Sequence, residues 1–162
     1  MPRSRVALPG DDYLTRIGEV AYSVSYLEWT ILGGLHRLEK QLPQDLVLSR
    51  LEPMMTSQIA SAVKSASKEI AEGAVKAYLV AVYRALFIAA DLRSNVLHAR
   101  PATHPVQGQC LNRAKVRDRK TTGKRFWIDD EWFGSAVIEL NEQLSTVSRA
   151  RPPFAPVAEE TR

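Results

Sequence analysis

The chain holds one cysteine, Cys110, in 162 residues. That excludes an intrachain disulfide framework and any zinc site built on several thiolates, and it fits a reducing compartment. No apolar run approaches the ~18 residues that a membrane-spanning helix needs. The N-terminal MPRSRVALPGDD carries two arginines with no apolar core behind them, so it does not read as a secretory signal, and cytoplasm is the expected location. A Walker loop, a dinucleotide fingerprint and an HExxH motif are all missing. TTGK at 121–124 resembles the end of a phosphate loop, but the first glycine is absent and nothing places the segment after a buried strand. No cofactor and no metal are expected, and no membrane partner.

What remains is ordinary globular composition, 45% apolar and 25% charged, enough for one core without staples. Residues 1–10 and 150–162 read as tails, the second carrying three of the nine prolines. A single domain is expected over 11–149. The formal charge of +4 favours polyanionic partners without identifying one.

Apolar residues recur every three or four positions from Leu14 through Ile17, Val20, Val24, Leu27, Ile31, Leu35 and Leu38. This predicts a helix from a cap at Asp11 or Asp12 to about Lys40. Pro43 ends it, a short amphipathic piece follows near 45–51, and Pro53 opens a second helix with Ile59, Val63 and Ile70 inward. A long helix from about Ala71 carries Leu79, Val82, Tyr83, Leu86, Ala89 and Ala90. It must stop near His98, because Pro101 cannot continue the ladder and disfavours helical geometry at Arg100. PATHPVQG at 101–108 reads as loop, and two short basic strands near 109–117 and 124–128 form a hairpin. Asp129 caps a last helix whose period runs through Phe133, Val137, Leu140, Leu144 and Val147, with Ile128 and Phe133 as its hydrophobic staple. The expected fold is all-α: a four- to five-helix bundle with a small β-hairpin, about 109–128, inserted before the last helix.

The segment with chemistry in it is Arg93-Ser94-Asn95-Val96-Leu97-His98. At ~100° per residue, Arg93 falls within about 40° of Leu79, inside the apolar stripe, where an unpaired guanidinium is costly. Ser94 lies one turn beneath His98 and Asn95 three residues before it, so either can orient the imidazole. Arginine grips a phosphate with two parallel hydrogen bonds and never loses its proton. Histidine titrates near neutrality and moves a proton to or from a hydroxyl. An RNA 2′-hydroxyl is an internal nucleophile, so no protein nucleophile is needed, and the pair suits the cutting of RNA without a metal.

An arginine, four residues and a histidine near the end of a late helix resemble the signature of HEPN domains. The resemblance implies a metal-independent endoribonuclease, often a toxin with a cognate antitoxin or a defence factor. It also implies a homodimer whose two motifs face one cleft, with Arg93 and His98 as the catalytic pair. The family often has Asn, Asp or His after the arginine, where this chain has Ser94, with Asn95 one step later. The alternatives are a non-catalytic binding module for RNA, a nucleotide or a protein, and a helical dimerisation protein. For Arg93 the structural alternative is an ion pair with Glu19 or Glu28; for His98 it is a bond to a terminal carbonyl.

From Arg113 to Arg125 the chain has seven basic residues against one acidic. Arg113, Lys115, Arg117, Arg119, Lys120, Lys124 and Arg125, with Arg100 beside the motif, are expected to contact the RNA backbone. A solvated hairpin that protects its own edges is the alternative. Trp127 and Phe133 are expected in the core, Tyr22, Tyr26 and Trp29 in the core or a dimer surface, and His36 and His104 in no role.

Overall fold

The computed structural model describes residues 5–117 and 120–153. In order they form α1 (Asp11–Arg37), short 3-10 turns at Glu39–Gln41 and Gln44–Leu46, α2 (Leu48–Leu51), α3 (Thr56–Glu69), α4 (Ala74–Leu97), β1 (Arg100–His104), β2 (Gly108–Arg117), β3 (Lys120–Ile128) and α5 (Asp130–Ala150). Helix accounts for 66%. The all-α expectation is nonetheless wrong: the strands make a three-stranded antiparallel sheet in the order β1-β2-β3, and the segment expected as loop supplies its first strand. Pro101 and Pro105 concealed it. β1 pairs only with β2, and an edge strand tolerates proline because alternate N–H groups face away from the partner.

The chain divides into two compact units, Met1–Tyr26 with Ile88–Asn141 and Leu27–Phe87 with Glu142–Arg162. In the second, Leu27, Ile31, Leu35 and Leu38 of the first helix and its extension are buried, as are Ile59 and Val63 of α3 and Tyr78, Leu79, Val82 and Leu86 of α4. Each set follows the helical period the sequence displays. Gln58 accepts the Met55 N–H (2.9 Å) and so satisfies one of the free donors at the start of α3. Thr56, buried, donates its hydroxyl to Glu28 (2.5 Å).

Tyr78 is fully buried, with its hydroxyl against the backbone of Gly34 and beside the Arg151 guanidinium. Burial pushes this phenol above its ordinary pKa, and Arg151 offsets part of the rise. A β-carbon on Gly34 would collide with the hydroxyl, whereas one on Gly33 meets nothing within 4 Å.

In the first unit, Val20 and Val24 of α1, Cys110 and Ile128 of the sheet, and Phe133, Ala136 and Leu140 of α5 are buried. Gly10, one residue before the expected caps, is the N-cap of α1, its carbonyl accepting the Leu14 N–H (3.1 Å). Asp11 and Asp12 occupy the first turn, where negative charge suits the helix dipole. α5 starts as expected, with the Asp129 carboxylate accepting the Trp132 N–H (2.9 Å). The hydroxyl of Tyr13 is interposed between β2 and β3: it accepts the Leu111 N–H (2.7 Å) and donates to the Ile128 carbonyl (2.6 Å). Its ring meets Phe133 edge-on at 5.3 Å between centroids. Burial is the main reason that its pKa is raised to about 12. Cys110 is buried beside it, and burial, with the carboxylates of Asp129 and Asp130, pushes its thiol up as well.

Two predictions test this packing. Gly34→Ala lowers the melting temperature, because overpacking costs about 1–3 kcal/mol while the helix gains at most about 1 kcal/mol. Gly33→Ala raises the temperature, and adding Tyr78→Phe to Gly34→Ala recovers part of the loss. Second, Tyr13→Phe strands the Leu111 N–H and the Ile128 carbonyl and costs roughly 1–3 kcal/mol near neutral pH. The folded pKa of Tyr13 lies above the unfolded value, so its contribution is complete below pH 10 and is lost as pH rises toward about 12. Denaturant melts across that window should fall more steeply for the wild type than for Tyr13→Phe.

Candidate nucleic-acid interface

α4 carries the arginine–histidine motif, but not in the setting expected. Its buried stripe ends at Ala89; Arg93 and Leu97, which continue the same face, are exposed, as is His98 just past the helix end. Arg93 is therefore not a buried guanidinium. Among the described residues it makes no ion pair, and Glu28, one of its two expected partners, is engaged by Thr56. The His98 N–H donates to the Ser94 carbonyl (3.0 Å), while no hydrogen bond joins the Ser94 hydroxyl to the imidazole. Asn95 does not orient His98 either: it donates to Asp91 (3.1 Å) and accepts from Arg113 Nε (3.5 Å).

Arg113 is the cap of this helix end. Besides Asn95, it reaches the His98 carbonyl through Nη1 (3.2 Å), satisfying an acceptor that the last turn leaves free. The expected carbonyl contact at His98 thus involves its backbone, and the imidazole is left without a partner among the described residues.

Beyond this point the sheet opens. The β2–β3 register runs regularly from Leu111↔Ile128 to Ala114↔Arg125, then resumes at Val116↔Thr121. Lys115 alone therefore faces Thr122, Gly123 and Lys124 of β3, a bulge on the β3 side. Gly123 sits at φ +78°, a conformation that glycine adopts freely. Thr122 holds the bulge, donating its hydroxyl to the Lys115 carbonyl (3.2 Å) and accepting the Lys124 N–H (3.4 Å).

The bulge and the end of α4 enclose a cavity of about 360 Å³, with His98, Arg100, Arg113, Lys124 and Arg125 on its walls. Among the described residues, Thr121, Val116 and Ala114 complete the lining around Gly123, and no carboxylate contributes. Arg125 is fixed by the Asn112 side-chain oxygen through Nε and by the Asn112 carbonyl through Nη2 (3.0 Å). Two of the three cavity arginines, Arg113 and Arg125, are thus held by neutral acceptors, which set their direction without a counter-charge among the described residues.

Five of the expected site residues therefore converge. Lys115 is exposed, with its ammonium 5.9 Å from the centre of the Phe126 ring. Lys120 is exposed at the start of β3, outside the cavity lining. The Arg117 backbone belongs to β2, while its side chain and all of Arg119 lie outside the described residues. The sequence reading missed Asn112, buried at 9% exposure, and His104. The His104 Nδ1 accepts the N–H groups of Val106 and Gln107 (3.1 Å each) and so shapes the β1–β2 turn. Its ring meets Trp127 edge-on at 4.8 Å, and its proton belongs on Nε2. An isolated glycine in a strand is a bulge signal, so Gly123 pointed to the opening of the sheet.

No group of metal-ligating side chains exists among the described residues, and no helix among them is long and apolar enough to cross a membrane. The chain matches no protein-family model, no curated protein and no solved structure.

The clamp on α4 gives a prediction of its own. Arg113→Ala should speed amide hydrogen exchange at His98 and Ala99 several-fold, a loss of about 0.5–1.5 kcal/mol of local stability. Exchange at Val82 and Leu86 in the same helix should stay unchanged.

Proposed function

We propose that the chain is a metal-independent endoribonuclease of the HEPN type. The observation that carries the reading is the position of His98: an exposed imidazole, unengaged among the described residues, on the wall of a cavity whose other described charges are all positive. A phosphate drawn to Arg100, Arg113, Lys124 and Arg125 comes within reach of a side chain able to transfer a proton. Arg93, exposed and without an ion pair among the described residues, has its charge available for the developing negative charge of the transition state. The ribose 2′-hydroxyl attacks the adjacent phosphorus and gives up its proton to a base, and the P–O5′ bond breaks as the 5′-oxygen takes up a proton. His98 serves one of these two transfers, with the second copy's His98 or water serving the other; the products are a cyclic phosphate and a free 5′-hydroxyl.

Positions five apart on a helix are about 140° apart around its axis. Arg93 and His98 of one chain therefore diverge, and a second copy, as the resemblance implies, is the source of the complementary half of the site. A cognate antitoxin that covers this surface belongs to the same proposal.

The second reading is a non-catalytic RNA-binding module, supported by the hydrogen bonds that hold Arg113 and Arg125 on the wall of a basic cavity. One experiment separates the two. Incubated with RNA in the presence of a chelator, the wild type cuts it, while Arg93→Ala and His98→Ala each lose at least a hundred-fold in rate. Because both side chains are exposed, the melting temperatures should shift by no more than surface substitutions do. Salt-sensitive binding without cleavage by the wild type would establish the second reading instead.

A further inference from the structure

The cavity carries more positive charge than a single phosphodiester can neutralise. Four cations, Arg100, Arg113, Lys124 and Arg125, surround about 360 Å³ with no carboxylate among the described lining residues, and His98 completes the polar wall. A nucleotide within a chain brings one negative charge. A terminal diphosphate or triphosphate ester brings roughly three or four in the same volume. The space lies at the lower end of the range for small-molecule sites, which suits a nucleotide and its phosphates.

The geometry of the donors agrees. Arg113 uses Nε and Nη1 on Asn95 and on the His98 carbonyl, which leaves Nη2 free. Arg125 uses Nε and Nη2 on Asn112, which leaves Nη1. Each guanidinium is thus immobilised with N–H donors in reserve. Groups already ordered lose little entropy when a ligand arrives. Arg100 at the start of β1 and Lys124 at the bulge add charge without a side-chain partner among the described residues. Positive groups on one wall, with no counter-charge among the described lining residues, repel one another, and an oligophosphate relieves that repulsion more completely than a single phosphodiester does.

We propose that the cavity between the end of α4 and the β2–β3 bulge binds the di- or triphosphate group of a nucleotide. Two sources present this chemistry, a free nucleoside triphosphate and the 5′-triphosphate end of an RNA. The cavity is the one that the cleavage reading uses, since His98 lines it, but binding there requires no cleavage, and Arg93 lies outside the lining.

Binding of the full chain is measured by calorimetry against tripolyphosphate, a nucleoside triphosphate and the matching monophosphate. One short RNA is added with either a 5′-triphosphate or a 5′-hydroxyl, using Arg93→Ala protein so that the RNA stays intact. The triphosphate should bind at least ten-fold tighter than the monophosphate. Lys124→Gln, an exposed side chain outside the hydrogen-bond network, should weaken it about ten-fold with an unchanged melt; Arg125→Gln should weaken it as much, with a lowered melt because buried Asn112 loses its partner. Lys40→Gln, outside the cavity, makes the same change in net charge and should weaken binding less than two-fold. Tight binding of the free triphosphate alone assigns the site to a nucleotide; tight binding of the 5′-triphosphate RNA alone assigns it to an RNA end. Equal affinity for monophosphate and triphosphate, or a Lys124→Gln variant that binds as the wild type does, overturns the proposal. An Arg93→Ala protein that still cuts RNA would sink the cleavage reading and leave this one standing.

Discussion

The sheet depends on a side chain from another element to complete its hydrogen bonding. At the Leu111↔Ile128 pair, the phenol of Tyr13 is both acceptor and donor, so α1 is joined to β2 and β3 in a single relay. Three consequences meet there. Ile128, at the end of β3, is buried; Asp129 follows as the cap of α5; and Leu111 fixes the register that places Asn112 and Arg113 next along β2. A one-residue slip in that register would exchange the faces of Asn112 and Arg113, and the two arginine clamps would be lost together. The cavity is therefore a product of strand register as much as of basic composition.

Charge in the cavity is managed by restraint, without neutralisation. Carboxylates would have stabilised Arg113 and Arg125 more strongly, since an ion pair in a partly buried site exceeds a bond to an amide oxygen. The neutral partners Asn95 and Asn112 give direction and no counter-charge. Such an arrangement sacrifices some stability to self-repulsion and keeps an electrostatic attraction for anions that a salt-bridged surface lacks. Among the described residues the ion pairs lie elsewhere: Arg16 with Asp130 (3.4 Å), Arg50 with Asp45, and Lys76 with Glu72 (2.5 Å), while His36 is hydrogen-bonded to Glu39 (3.0 Å). They are exposed pairs of the kind that contributes little to stability.

The helices were legible because their apolar residues repeat at the helical period and their ends carry chemical punctuation. Asp129 caps α5 as read, and Pro101 predicted the end of α4 to within one residue of Leu97. β1 was not legible: a five-residue edge strand with a proline at its second position has neither alternation nor a full set of N–H donors. Its turn is organised by His104, a residue that composition gives no reason to notice. The environment of Arg93 was misread for a different reason. Periodicity shows that a residue continues an apolar stripe, but burial also requires something to cover it, and in α4 the cover stops after Ala89. Leu97 makes the same point, apolar and on the stripe yet 64% exposed.

The basic run from Arg113 to Arg125 shows what one-dimensional charge counting can and cannot say. Three of its seven cations reach the cavity, and Arg100 and His98 join them from the far side of the β1–β2 turn. What sorts the cations is local backbone geometry. The bulge places three β3 residues opposite Lys115, so Lys124 and Arg125 turn toward the cavity while Lys115 lies over the Phe126 ring. Thr122 and Gly123 carry no charge, yet they decide where their neighbours' charges go, one through its hydroxyl and the other through its positive φ. A straight hairpin with the same composition would spread its lysines and arginines over two solvated faces, where salt screens them. Concentrating them on one concave surface raises the local potential, and for that the irregularity in the sheet matters as much as the number of basic residues.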